Sequence, residues 1–82
     1  MNLTKTYYKL LEKQEEYPRS IKDVNNYLKK KGVKEKLAKG RGYFYFYDGG
    51  ASGWYESGVY VYHIDELSLD DWYDEYLRLS KA

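Results

Sequence analysis

Two stretches of the chain, residues 43–47 and 59–64, alternate strictly between two kinds of side chain, which is the pattern of a β-strand whose faces differ. Two phenylalanines share one face of the first stretch, and two valines share one face of the second. We expect these apolar residues to face the core, which would place five tyrosines together on the opposite side of the sheet. These tyrosines are Tyr43, Tyr45, Tyr47, Tyr60 and Tyr62.

The residues before and between these stretches favour a third strand and two turns. A weaker alternation over residues 33–39 fits a short first strand, and the glycine-rich residues 40–42 would turn it into the next. Residues 48–50, Asp-Gly-Gly, have turn chemistry. Residues 51–58 are longer than a tight hairpin needs, so they either extend the hairpin with a bulge or form a loop. The sequence therefore predicts a three-stranded sheet within residues 33–64.

Three helices are predicted where apolar residues recur at helical spacing, over residues 3–16, 20–31 and 68–80. Ser20 and Ser68 have the side chain and position of N-cap residues for the second and third helices. The element order is α-α-β-β-β-α in a single domain spanning residues 1–82. Because the strands are grouped with helices outside them, we expect the α+β class, with a small antiparallel three-stranded sheet and helices packed on one face.

Aromatic side chains supply much of the apolar surface of this short chain, since 12 Tyr, 2 Trp and 2 Phe make up 20% of its 82 residues. We expect Trp72 of the last helix to pack in the core against the phenylalanines and valines of the sheet. The chain has no cysteine, and neither a signal peptide nor an apolar run of about 20 residues is visible. We expect a cytoplasmic protein without membrane contact.

The net charge of +1 conceals a strong asymmetry between the two halves of the chain. Residues 1–41 carry 12 Lys and Arg against 5 Asp and Glu, whereas residues 42–82 carry 2 against 8. A basic half can attract phosphate or acidic protein surfaces, and the acidic half can repel or mimic nucleic acid. The two halves can equally attract each other within the fold.

Residues with catalytic or metal-binding potential are few, and their spacing fits no reaction. The only histidine, His63, is expected to pack in a strand at the end of the sheet, and no Ser/His/Asp set accompanies it. The carboxylates of residues 65–75 match a helix entry and a solvated face, and they lack the EF-hand pattern. The glycines of residues 40–42 lack the Lys-Ser/Thr of a phosphate loop. We expect no enzymatic activity, no metal and no cofactor.

Two resemblances bear on fold and setting. An α-β-β-β-α core over residues 20–80 has the element order of double-stranded RNA-binding domains and of HicA-type toxin ribonucleases. The run from Leu28 through Lys-Lys-Lys-Gly to Gly40-Arg41-Gly42-Tyr43 resembles the helix, glycine and strand of that toxin. Here Arg-Gly-Tyr stands where the toxin family has its catalytic histidine, so the ribonuclease activity does not carry over.

A more extensive resemblance covers nearly the whole chain. The pattern Gly-Arg-Gly-Tyr-Phe-Tyr-Phe, then Gly53-Trp54, then Val-Tyr-Val-Tyr at residues 59–62, then Leu67, Trp72 and Tyr76 is similar to a group of small bacterial and phage proteins without an assigned function. The resemblance implies a phage or mobile-element setting and suggests no reaction. Small phage proteins of this kind often bind and inhibit host defence proteins or redirect host enzymes.

Two functions compete for the tyrosine-rich sheet. The first is that of a non-enzymatic binding protein that docks on, and inhibits, a host protein such as a defence or nucleic-acid enzyme, or that self-associates as a dimer. Its predicted anchors are Tyr43, Tyr45, Tyr47, Trp54, Tyr55, Tyr60 and Tyr62. The second is binding of single-stranded RNA or DNA, with bases stacked on the tyrosines and phosphates held by basic side chains. These are Lys29, Lys30, Lys31, Lys34, Lys36, Lys39 and Arg41. The third interpretation makes the tyrosines simple β-formers, half buried under the helix over residues 3–16.

Overall fold

The computed structural model describes residues 16–81, which form two α-helices and a three-stranded antiparallel sheet. This arrangement confirms the predicted α+β class. The predicted helix over residues 3–16 lies outside the described residues, apart from Glu16. The described elements are α1 (Ile21–Lys30), β1 (Lys36–Lys39), β2 (Phe44–Tyr47), a 3-10 helix (Ala51–Gly53), β3 (Gly58–Val59), a second 3-10 helix (Ile64–Glu66) and α2 (Leu69–Lys81).

The sheet has the strand order β1-β2-β3, and its core-facing side is formed as the alternation predicts. Leu37 lies opposite Phe46, and Phe44 lies opposite Val59. All four of these side chains are buried in one cluster with residues of both helices. Both α1 and α2 therefore pack on this face, and the tyrosines of β2 point to the other.

Helix α1 begins and ends at the residues that the sequence indicates. The hydroxyl of Ser20 accepts a hydrogen bond from the main-chain N–H of Asp23 at 3.3 Å, which satisfies one free donor of the first turn. At the other end, Gly32 has φ of +83° and donates to Lys29, while Val33 donates to Leu28. This pair of bonds is a Schellman motif, which a glycine enters without steric cost.

Helix α2 is anchored by Trp72, whose side chain is fully buried. Its ring meets that of Phe44 edge to face, with the centroids 5.4 Å apart. The indole Nε1 donates to the main-chain carbonyl of Ile64 at 3.0 Å, so the polar atom of the side chain is also satisfied. Ser68 caps the helix as predicted, because its hydroxyl accepts from the N–H of Asp71 at 3.0 Å.

The predicted third strand over residues 59–64 is wrong in extent, since β3 comprises only Gly58–Val59. One carboxylate oxygen of Glu66 accepts hydrogen bonds from the main-chain N–H groups of Tyr62 and His63, at 2.8 and 2.7 Å. These bonds turn the chain into the second 3-10 helix before a longer strand can form. His63 is accordingly exposed beside this helix, which corrects the prediction of a histidine packed in a strand.

Candidate functional site

The candidate site is the sheet surface opposite the core, where the register places tyrosines beside small residues. Tyr45 at the centre of β2 lies between Ala38 of β1 and Gly58 of β3. Neither neighbour has a side chain larger than a methyl group. The rings of neighbouring tyrosines can therefore lie against the sheet instead of projecting from it.

Four of the rings form a connected surface, which we call the tyrosine face: Tyr43, Tyr45, Tyr47 and Tyr60. Ring centroids are 6.0 Å apart for Tyr43 and Tyr45, and 6.3 Å apart for Tyr45 and Tyr47. Tyr60 extends the row sideways, at 5.9 Å from Tyr43. Tyr60 is 71% exposed and Tyr47 is 40% exposed, so the surface is open to a partner within the described part of the chain.

Two glycines determine how the rings of this surface lie. A Cβ atom added to Gly40 would come within 3.0 Å of three ring atoms of Tyr43 and only 2.5 Å from Cζ, so the face of that ring covers the glycine. A Cβ atom on Gly58 would come 2.8 Å from the hydroxyl oxygen of Tyr60. The ring of Tyr43 thus lies over Gly40, the phenol end of Tyr60 reaches Gly58, and the planes of the two rings differ by 32°. The opposite face of the Tyr43 ring lies away from Gly40, and the residue as a whole is half-buried.

Glu56 holds the phenol of Tyr60 and is the one carboxylate among residues 16–81 that lines the cleft between these rings. The phenol of Tyr60 donates to Oε1 of Glu56 at 3.1 Å. This hydrogen bond, together with the negative charge of the carboxylate, raises the pKa of Tyr60 above its ordinary value. A tyrosine phenol is already protonated at physiological pH, so Tyr60 presents a neutral surface there with or without this shift.

Three predicted anchors lie away from the tyrosine face. Trp54 is half buried, with its ring centroid 5.8 Å from those of both Phe46 and Tyr76, so it belongs to the core side of the sheet. Tyr55 is 92% exposed in the loop before β3. The ring of Tyr62 lies over Gly42, because the chain turns away after Val59. The structure therefore brings Tyr43, Tyr45, Tyr47 and Tyr60 together as neighbours and places these three elsewhere, while the partner-binding role of all seven stays a prediction.

The predicted basic residues are distributed over two regions. Lys29, Lys34 and Lys36 line a groove of about 530 Å³ between the second half of α1 and the start of β1. Lys36 also lies opposite Tyr47 in the sheet, so it borders the tyrosine face. Lys39 lines the cleft of about 460 Å³ that contains Tyr43, Tyr45 and Tyr60.

The remaining basic residues have other surroundings. Lys31 is occupied within the fold: its Nζ lies 5.4 Å from the ring centroid of Tyr27 and 5.5 Å from that of Tyr73, where cation–π attraction holds it. Lys30 is exposed at the end of α1, and Arg41 is exposed in the link between β1 and β2. Among the seven, Lys36 therefore lies on the tyrosine side of the sheet, whereas Lys39 lies opposite the core-facing Phe44 and lines the cleft at the end of the face.

Sequence reasoning missed Glu56 and the two glycines under the rings. The sequence does carry a signal for Gly40. Ala38 and Gly40 alternate with Leu37 and Lys39, which places the two small residues on the same side of the sheet as the tyrosines. Their pairing with particular rings depends on the register of three strands, which the sequence leaves open. Glu56 belongs to the loop before β3 and has no pattern of its own.

Within residues 16–81, no group of three or more His, Asp or Glu side chains is arranged to hold a metal ion. No helix in that same part of the chain is long and apolar enough to cross a membrane.

No known protein family, curated protein or solved structure matches this chain. The resemblance to small bacterial and phage proteins therefore stays a prediction.

Proposed function

We propose that this is a small non-enzymatic binding protein that docks on a protein partner through its tyrosine face. The observation that supports the proposal is the row of four tyrosine rings about 6 Å apart on the sheet face opposite the two described helices. Tyrosine combines a large contact area with little loss of side-chain entropy and has a polar tip, which is why it is enriched at protein interfaces.

The size of this surface favours a macromolecular partner. Tyr47 and Tyr60 are exposed and Tyr43 and Tyr45 are half-buried, so the four rings form an aromatic patch of a few hundred Å², a size that is often functional on a soluble protein. The cleft between the rings is shallow and bounded by Lys39 and Glu56, so a partner can hydrogen-bond at the rim while the rings are covered. In the phage setting that the resemblance implies, the partner would be a host protein, such as a defence or nucleic-acid enzyme, which is inhibited by being covered.

The test removes two rings from the row. The double variant Tyr45→Ser and Tyr60→Ser should keep a circular-dichroism spectrum close to that of the wild type but lose its partner in pull-downs from bacterial lysate, with the partner identified by mass spectrometry. Sedimentation velocity of the wild type and variant checks whether the partner is a second copy. The matched control is Tyr17→Ser with Tyr55→Ser, which removes two exposed tyrosines outside the face. Equal capture by all three proteins would refute the proposal.

A second candidate, binding of single-stranded nucleic acid, is favoured by the orientation of the rings. One face of the Tyr43 ring covers Gly40, which leaves the opposite face of this half-buried ring as the surface on which a base would stack. Stacking of this kind contributes roughly 1–3 kcal/mol per base. Lys36 lies beside Tyr47 at the other end of the tyrosine face, and Lys39 lines the cleft that contains Tyr43, so both are placed to contact the phosphates of a bound strand.

Salt dependence tests this second candidate. The affinity for a labelled oligothymidylate should fall steeply with salt, and replacing Lys36, Lys39 and Arg41 by Ala should reduce the log–log slope by about two to three. Replacing Lys22, Lys30 and Lys81 instead is the control of equal charge. If no single- or double-stranded DNA or RNA binds at low salt, the protein partner is the only function left for the face.

A further inference from the structure

A second cleft, of about 280 Å³, lies at the end of the sheet and is lined in part by the core-facing Phe44. Three separate segments form it: the residues before α1, the last residue of β1, and the turn after β3. Its floor is apolar and includes Phe44 and Ile64. The polar and charged side chains around it are Arg19, Lys39, Tyr62, His63 and Asp65.

The donors of this cleft outnumber its acceptors. Arg19 and Lys39 carry positive charge, Tyr62 and His63 can both donate hydrogen bonds, and Asp65 is the one carboxylate. Arginine offers a planar fork of N–H groups that matches a phosphate, and lysine acts as a point charge beside it. The main chain that carries two of these groups is fixed, because the N–H groups of Tyr62 and His63 both bind Glu66. The charge and the hydrogen-bond donors of this set suit a phosphate group.

Lys39 connects this cleft to the tyrosine face, since it lines both the end cleft and the cleft that contains Tyr43 and Tyr60. A ligand that occupies both must combine a flat ring system with a phosphate. We propose that the end cleft is a phosphate subsite for a single-stranded oligonucleotide, one of whose bases stacks on Tyr43. This inference rests on the second candidate function, because it assigns the base to the same ring platform. A phosphopeptide could place its phosphate in the end cleft but would bring no base to stack on Tyr43.

The experiment uses a 5′-phosphorylated tetrathymidylate, followed by amide chemical shifts and by fluorescence anisotropy at several salt concentrations. The oligonucleotide should shift the amide resonances of Arg19, Lys39 and His63 together with those of Tyr43 and Tyr60. Arg19→Gln should weaken binding about tenfold and reduce the salt slope by roughly 0.7 to 1, the contribution of one phosphate. Lys22→Gln removes the same charge from an exposed position on α1 outside the cleft and should change neither quantity by more than twofold.

Other outcomes separate the subsite from the function that it rests on. If Tyr43 and Tyr60 shift but Arg19→Gln leaves affinity and slope unchanged, the subsite is overturned and nucleic-acid binding stands. If a phosphoserine peptide shifts the cleft resonances while the oligonucleotide shifts none, the nucleotide assignment is overturned. If neither ligand shifts any resonance, both the subsite and the second candidate function fail.

Discussion

The side-chain amide of Asn25 makes two hydrogen bonds with the main chain of Leu37. Its Oδ1 accepts from the N–H of Leu37 at 2.7 Å, and its Nδ2 donates to the carbonyl of the same residue at 3.1 Å. Hydrogen-bonded and non-hydrogen-bonded pairs alternate along an antiparallel pair of strands. Gly40 and Tyr43 form a hydrogen-bonded pair, so Leu37, three residues earlier, is in a non-hydrogen-bonded pair and its main-chain groups point away from β2. Asn25 therefore imitates a neighbouring strand at the free edge of β1 and blocks pairing there with another chain.

Removing this amide should destabilise the domain and open the edge. Asn25→Ala leaves two main-chain groups of a buried residue without their partner, which should lower the free energy of unfolding by about 1–3 kcal/mol in urea melts. It should also increase self-association in sedimentation velocity. Asn26→Ala, at the next and exposed position, is the control and should cost less than about 0.5 kcal/mol. Equal losses in the two variants would mean that the hydrogen bonds to Leu37 are unimportant.

Trp72→Ala should remove about 3–5 kcal/mol of stability, since it empties the space between α2 and Phe44. In a domain whose total stability is about 5–15 kcal/mol, much of the population would unfold. Trp72→Phe keeps an aromatic ring but loses the bond to the Ile64 carbonyl, and should cost less. Denaturant melts measure both; a loss under 1 kcal/mol for the alanine variant would show that α2 docks elsewhere.

Gly40→Ala should displace the ring of Tyr43 with little loss of stability, because the atom that must give way is the far end of a flexible side chain. In the wild type, the ring current of Tyr43 should shift the Gly40 Hα resonances to low frequency. In the variant, the displaced ring should no longer shift the resonances of the residues next to position 40. If bases stack on Tyr43, oligothymidylate binding should weaken about fivefold or more. Gly53→Ala, which meets no atom within 4 Å, is the control.

The phenol of Tyr27 should make the free energy of unfolding fall as the pH rises through the alkaline range. Its phenol donates to Asp70 of α2, and this hydrogen bond, with burial next, raises the pKa of Tyr27 from 10.0 to about 12. Because the pKa is higher in the folded state, the stabilisation is complete below pH 10 and is lost as the pH rises towards 12.

Urea melts from pH 9 to 12 should therefore show a steeper decline for the wild type than for Tyr27→Phe. Tyr17→Phe, which removes an exposed phenol, should decline like the wild type. Parallel curves for the wild type and Tyr27→Phe would contradict the role of the Asp70 contact.

The sequence by itself determined the elements whose signals are local. Alternation in residues 43–47 assigns Phe44 and Phe46 to the core, and the caps Ser20 and Ser68 mark the starts of the helices, because these patterns depend on backbone geometry within a few residues. The α+β class follows from the order of these elements.

Only the tertiary structure decided which side chains meet across the chain. Alternation after Val59 predicts a longer strand, but Glu66 binds the main chain of Tyr62 and His63 and ends it. Trp54 packs against Phe46 of the core, and the ring of Tyr43 lies over Gly40. Both contacts form because strand register and helix docking bring these residues together. Such contacts depend on the packing of several elements at once, so no local pattern specifies them.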